Sequence, residues 1–89
     1  MPHAILPILN AKGLHARASA KFVETVERFD ATARVSREGQ SVMGDSIMGL
    51  LMLAAAQGTE IEVQTDGAEA EALLAALSTL VGQRFGEDA

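Results

Sequence analysis

Two kinds of apolar pattern divide this chain. Short alternating stretches carry the period of strands, and longer stripes carry the period of helices. Ala4-Ile5-Leu6-Pro7-Ile8-Leu9 reads as a short strand, and Pro7, which has no N–H to give a ladder, places it at a sheet edge. Asn10-Ala11-Lys12-Gly13 then turns the chain. From Ala16 to about Arg28, the positions Ala20, Phe22, Val23, Val26 and Phe29 recur at helical spacing, with Ser19 extending that face by one turn. Arg17, Lys21, Glu24 and Arg28 form the opposite, solvated face.

Thr32 to Arg37 alternates, Glu38-Gly39 makes a tight turn, and Gln40 to Met43 returns, so a hairpin is expected here. Gly44-Asp45-Ser46 stops that strand and starts a helix running to about Ala55, with Asp45 or Ser46 as its N-cap. Gln57-Gly58-Thr59 closes it. Ile61-Glu62-Val63-Gln64-Thr65 alternates cleanly as a fourth strand. Asp66-Gly67-Ala68-Glu69 opens the last helix with a carboxylate at each end of a capping-box spacing. Ala70, Leu73, Leu74, Leu77 and Leu80 or Val81 form its stripe up to Gly82, and Gly86-Glu87-Asp88-Ala89 is expected to fray.

The element order is therefore β-α-β-β-α-β-α. It predicts an α+β fold, a four-stranded antiparallel sheet with three helices on one face. No linker, internal repeat or low-complexity segment interrupts it, and residues 1–89 are expected to form a single domain.

Composition narrows the function. Apolar residues make up 48% of the 89, which argues against disorder. Aromatic residues are 3%, all Phe, and the formal charge is −5 with no basic run, so base-stacking platforms and a phosphate-binding patch for nucleic acid are both lacking. With no cysteine and only His3 and His15, neither a disulfide framework nor a metal site is expected, and no cofactor is implied. No stretch reads as a membrane span or a signal peptide, so a cytoplasmic monomer free of membrane is the expectation.

The chemistry concentrates in Gly13-Leu14-His15-Ala16-Arg17-Ala18-Ser19. A helix start presents unpaired N–H groups and the positive end of a dipole, which suits an anion. An imidazole with an unperturbed pKa of about 6.5 is largely neutral at physiological pH and can act as a nucleophile. A phosphoryl group on His15 would meet the N–H groups of Ala16 and Arg17, and the Arg17 guanidinium would add charge-assisted bonds. The alternative is that His15 only caps the helix.

This order, with Gly-Leu-His-Ala-Arg at the first strand-to-helix turn, resembles the HPr family of phosphocarrier proteins of the bacterial phosphoenolpyruvate-dependent phosphotransferase system. The resemblance covers essentially the whole chain. It includes Gly13 to Ser19, Ser46-Ile47-Met48-Gly49-Leu50-Leu51 and Gln57-Gly58-Thr59. It implies an open-faced β-sandwich with strand order 1-4-2-3. It further implies that His15 takes a phosphoryl group from enzyme I on Nδ1 and passes it to an enzyme IIA protein, with Arg17 stabilising the phosphohistidine. Such a protein is a carrier and a substrate of other enzymes rather than an enzyme itself.

Two positions depart from the family pattern. Ala18 stands where the family usually has proline, a residue suited to a first helical turn, and alanine restores a donor there. Asp45 stands where sugar-transport members are often basic. Together with the stretches from Ser46 to Leu53 and from Glu24 to Ala31, this resembles the nitrogen-related branch and the single HPr of bacteria that lack a complete sugar-transport system, where the downstream role would be regulatory.

In many relatives the serine matching Ser46 is phosphorylated by HPr kinase/phosphorylase; on its own terms Ser46 is equally an ordinary N-cap, worth about 1 kcal/mol. The helix after it carries Ile47, Met48, Leu50, Leu51, Met52 and Leu53, more apolar surface than one buried face uses. The excess suggests a docking patch, and the resemblance implies that Ile47, Met48 and Leu51 contact enzyme I. His3 has no ligand or partner at a useful spacing. Two alternatives remain open. Gly44-Asp45-Ser46-Ile47 imitates the phosphopantetheine site of acyl carrier proteins, although these are helical bundles, and a small regulatory domain could bind partners without covalent chemistry.

Overall fold

Four strands pair antiparallel in the order β1-β4-β2-β3, where β1 is His3–Pro7, β2 Thr32–Arg37, β3 Gln40–Met43 and β4 Glu60–Asp66. The computed structural model describes residues 1–89. Register follows from alternation: Ala4 lies opposite Val63, Val63 opposite Val35, and Val35 opposite Val42. This row, with Leu6, Ile61, Ala33 and Thr65, points to one face, while His3, Ile5, Thr32, Arg34 and Asp66 are exposed on the other. A one-residue slip would turn the whole set into water. The hairpin closes through Glu38 and Gly39 with φ of 49° and 82°, the paired positive values of a type I′ turn.

Helices α1 (Ala16–Glu27), α2 (Ile47–Met52) and α3 (Ala70–Gly82) cover the buried face. The core holds Phe22, Leu50, Leu53, Leu73, Leu77, Val81 and Phe85, all essentially inaccessible. Burying a side chain of this size contributes about 1.5–3 kcal/mol, so these positions dominate cohesion. The sheet content rules out the helical bundle that the acyl-carrier alternative requires.

The fold and the edge position of β1 are those expected, and five details differ. The first strand ends at Pro7, yet Ile8 still exchanges bonds with Gly58 and Thr59, which carries the pairing on irregularly past the proline. Helix α2 stops at Met52 rather than Ala55, because Ala54 takes φ 51° and the chain peels away with Leu53 and Ala55 buried. No capping box forms at α3. Asp66 belongs to β4, and the Glu69 carboxylate instead accepts from the Asp30 N–H at 2.7 Å. Lys21 is not on a solvated face; its Nζ donates to the Phe85 carbonyl at 2.6 Å. Finally, the tail is docked. A tight turn over Arg84–Gly86, with φ of 56°, 55° and 77°, drives Phe85 into the core and brings Glu87 back over the start of α1.

Candidate functional site

The loop between β1 and α1 is built to present one side chain. Asn10 accepts the Gly13 N–H at 3.1 Å and returns its own Nδ2 to the Gly13 carbonyl at 2.8 Å, closing the turn. Gly13 has φ 65° and lies directly against the Ala55 backbone, where Leu14 N donates to Ala55 O at 2.9 Å. Leu14 is buried and fixes the loop to the core, leaving His15 as the N-cap of α1 with extended backbone. The Ser19 N–H makes the first intrahelical bond, to His15 O at 2.8 Å. The earlier N–H groups of Ala16, Arg17 and Ala18 therefore stand before the helix ladder begins.

The His15 side chain caps nothing. It is about a quarter exposed, and its Nε2 is bonded to the Glu87 carboxylate. The other Glu87 oxygen accepts from Asn10 Nδ2 at 3.0 Å. These two bonds, the one from His15 first and that from Asn10 second, hold the Glu87 carboxyl below its ordinary range. Its charge is therefore secure at neutral pH. Asn10 is fully buried, and its Oδ1 has no partner.

Lys12, His15, Ala16, Arg17, Glu87 and Asp88 line an open cleft. Arg17 is exposed at its edge. The N-terminal end of α1, Lys12 and Arg17 offer positive charge along one part of the cleft and Glu87 and Asp88 negative charge along another, with His15 between them and the mouth open to solvent. No group of three or more histidine, cysteine, aspartate or glutamate side chains is placed to hold a metal.

The other candidates lie apart. Ser46 caps α2, its Oγ accepting from Gly49 N at 3.0 Å. Ile47, Met48 and Leu51 are exposed, Met48 at 70%, whereas Leu50 and Leu53 are core, so the helix does carry apolar surface beyond one buried face. None of these residues lines the His15 cleft. Met52, 65% exposed, extends the same surface. His3 is exposed on the open side of the sheet. Asn10, Phe85 and Glu87 fall in no motif; the one sequence signal for them is Phe85, an apolar residue beyond the glycine that ends α3.

Comparison with known proteins places this chain in a family. The model of the PTS HPr component phosphorylation site matches residues 4–83. The phosphocarrier protein HPr of Neisseria meningitidis is 49% identical over 82 residues, 92% of each chain. That of Pseudomonas aeruginosa is 44% identical over 88 residues, 98% of each. Among solved structures, HPr-C-His from Thermoanaerobacter tengcongensis superposes with a TM-score of 0.95 over 100% of both chains at 34% identity. HPr from Bacillus anthracis gives 0.83 over 88% of this chain and 93% of that one, at 35% identity.

Proposed function

The chain belongs to the HPr family of phosphocarrier proteins and is a phosphoryl carrier of the phosphotransferase system; from that premise we propose that His15 is its phosphoryl-bearing residue. Nδ1 accepts the group from enzyme I and hands it to an enzyme IIA protein, in the cytoplasm, with the protein acting as a monomer of one domain spanning residues 1–89. The observation that carries this reading is the placement of His15: N-cap residue of α1, side chain free of any capping bond, in an open cleft beside Arg17. Arg17 supplies charge-assisted bonds to the phosphoryl oxygens, and the N–H groups of Ala16 and Arg17 complete the cradle. Phosphoryl transfer needs positioning and charge neutralisation above all, and these groups offer both. Single dipole contributions at exposed sites are only about 0.3–1 kcal/mol, so the group is held without being trapped. No helix of the chain is long and apolar enough to cross a membrane.

Incubation with enzyme I, Mg²⁺ and phosphoenolpyruvate is expected to add one acid-labile phosphoryl group, mapped by peptide sequencing to His15. An unmodified chain beside an enzyme I that phosphorylates itself refutes the reading.

Ser46 is the proposed regulatory position, the substrate of an HPr kinase/phosphorylase where one is present, and Ile47, Met48 and Leu51 are the docking surface. A phosphate on Ser46 would keep acceptor oxygens at the start of α2 but set a dianion beside Asp45 and next to the docking residues. The Ser46→Asp variant is expected to accept phosphoryl groups from enzyme I about tenfold more slowly, the equivalent of about 1.4 kcal/mol, through weaker docking. Transfer at the wild-type rate across donor concentrations leaves Ser46 as a cap and no more.

A further inference from the structure

We propose that Glu87 is a positioning residue of the phosphoryl-transfer site: held by Asn10, its carboxylate takes the Nε2–H of His15, leaves the Nδ1 lone pair free to attack, and faces the positive charge that the ring gains on phosphorylation. The assignment rests on His15 being the acceptor, and goes beyond it by naming what prepares the nucleophile.

Three observations converge. First, the two oxygens of the carboxylate have different partners, one on His15 Nε2 and the other on Asn10 Nδ2 at 3.0 Å. A carboxylate bonded at both oxygens has a fixed plane, and so does the ring it touches. Second, Asn10 spends both amide hydrogens, on Glu87 and on the Gly13 carbonyl, while its own buried Oδ1 goes without a partner. Leaving a buried acceptor unpaired is costly. Turning the amide over would set that oxygen against a carboxylate and a carbonyl, which is worse. The orientation is thus dictated by what the NH₂ group serves. Third, the tail is delivered deliberately. Phe85 is buried, its carbonyl takes a bond from Lys21, and Arg84 and Phe85 both occupy the left-handed region that L-residues avoid. Such backbone persists only where its surroundings enforce it.

The chemistry balances without any further group. In the neutral ring the proton is on Nε2. The Nδ1 lone pair forms the N–P bond as the bond from phosphorus to the donor atom breaks, and that electron pair stays with the donor. The ring becomes an imidazolium whose Nε2–H still points at Glu87. On onward transfer the N–P pair returns to Nδ1 and the charge disappears, with no proton moved in either direction. A carboxylate serving a histidine in this way fixes both tautomer and charge, as in hydrolase triads. An imidazole protonated on Nδ1 would instead offer Nε2, the nitrogen already covered by the tail.

The test compares wild type with Glu87→Gln and Glu87→Asp. Long-range ¹⁵N spectra of histidine-labelled protein at neutral pH report the tautomer, and rapid-quench single turnovers with saturating phosphorylated enzyme I report the transfer step apart from docking. Wild type is expected to show the Nε2–H form. Glu87→Gln is expected to gain a clear Nδ1–H population and to lose about ten- to a hundredfold in rate, with an unchanged melting temperature, and Glu87→Asp to recover part of both. If Glu87→Gln transfers as fast as wild type with the same tautomer ratio, the assignment is wrong. A rate loss with an unchanged tautomer, tracking a lower melting temperature, also overturns it. A wild-type chain that takes no phosphoryl group at His15 removes the carrier reading itself, and this assignment with it.

Discussion

Replacing His15 by alanine is expected to reduce phosphoryl acceptance from enzyme I to background while changing stability by no more than about 1 kcal/mol. The first half follows from covalent catalysis: without the ring there is no lone pair to form the N–P bond, and the chain's other histidine, His3, is on the far, open side of the sheet. The second half follows from what His15 does not do. Its side chain makes no capping bond to α1, and the residue is not part of the buried core. What the helix takes from position 15 is a backbone carbonyl, which alanine supplies equally well. Intact-mass measurement after incubation with the donor, paired with a thermal melt, checks both halves. A phosphoryl adduct on the alanine variant would contradict the assignment of the acceptor, and a large loss of stability would mean that His15 holds the fold.

Two residues earlier the balance reverses. Gly13→Ala is expected to cost about 2–4 kcal/mol, combining a residue forced to positive φ with overpacking against unyielding atoms. A Cβ at position 13 would sit 2.5 Å from the Ala55 carbonyl oxygen and 2.9 Å from the Ala56 Cα, both backbone, with φ at 65°. No flexible side chain is available to move aside. The strands of chain that meet there would have to separate, and the Leu14–Ala55 hydrogen bond lies between them. For a domain of this size such a loss lowers the melting temperature by about 10 °C or more. Acceptance by His15 falls with it, because the loop that aims the ring is anchored at that contact. A variant melting within about 2 °C of wild type shows that the loop accommodates the methyl group. On these expectations positions 13 and 15 divide the labour, the one structural with no chemistry of its own and the other the reverse.

Much of this architecture is legible in the sequence, for local reasons. Alternation at Thr32–Arg37 and Ile61–Thr65 reports a half-buried surface whatever it packs against, and Glu38-Gly39 reports a turn that needs two positive φ values. The stripe of Phe22, Val23 and Val26 likewise gives α1 to within a residue. His15 and Arg17 stand out because their spacing and their place at a helix start lie within five residues. Glu87 is of another kind. It meets His15 across 72 positions of sequence, and the meeting depends on a left-handed turn at Arg84 and Phe85, two residues whose types give no hint of it. The missing capping box at Asp66 and Glu69 has the same origin, since Glu69 found a better partner in the distant Asp30 N–H. Periodicity reads burial; it does not read which polar group a folded neighbour will claim.

The sheet order has a consequence in time. The β2–β3 hairpin closes over a two-residue turn, at small loop entropy, while β1 must wait for β4, with His3 seeking Gln64 and Pro7 seeking Glu60. Pairings of that span are the slow ones. The His15 loop follows β1 and the segment over it follows α3, so the cleft joins segments far apart in sequence. During synthesis on a ribosome, the helix that follows His15 emerges well before residues 85–87, which follow α3. A nascent chain that has released α1 but not yet residues 85–87 therefore still lacks one wall of the cleft around His15.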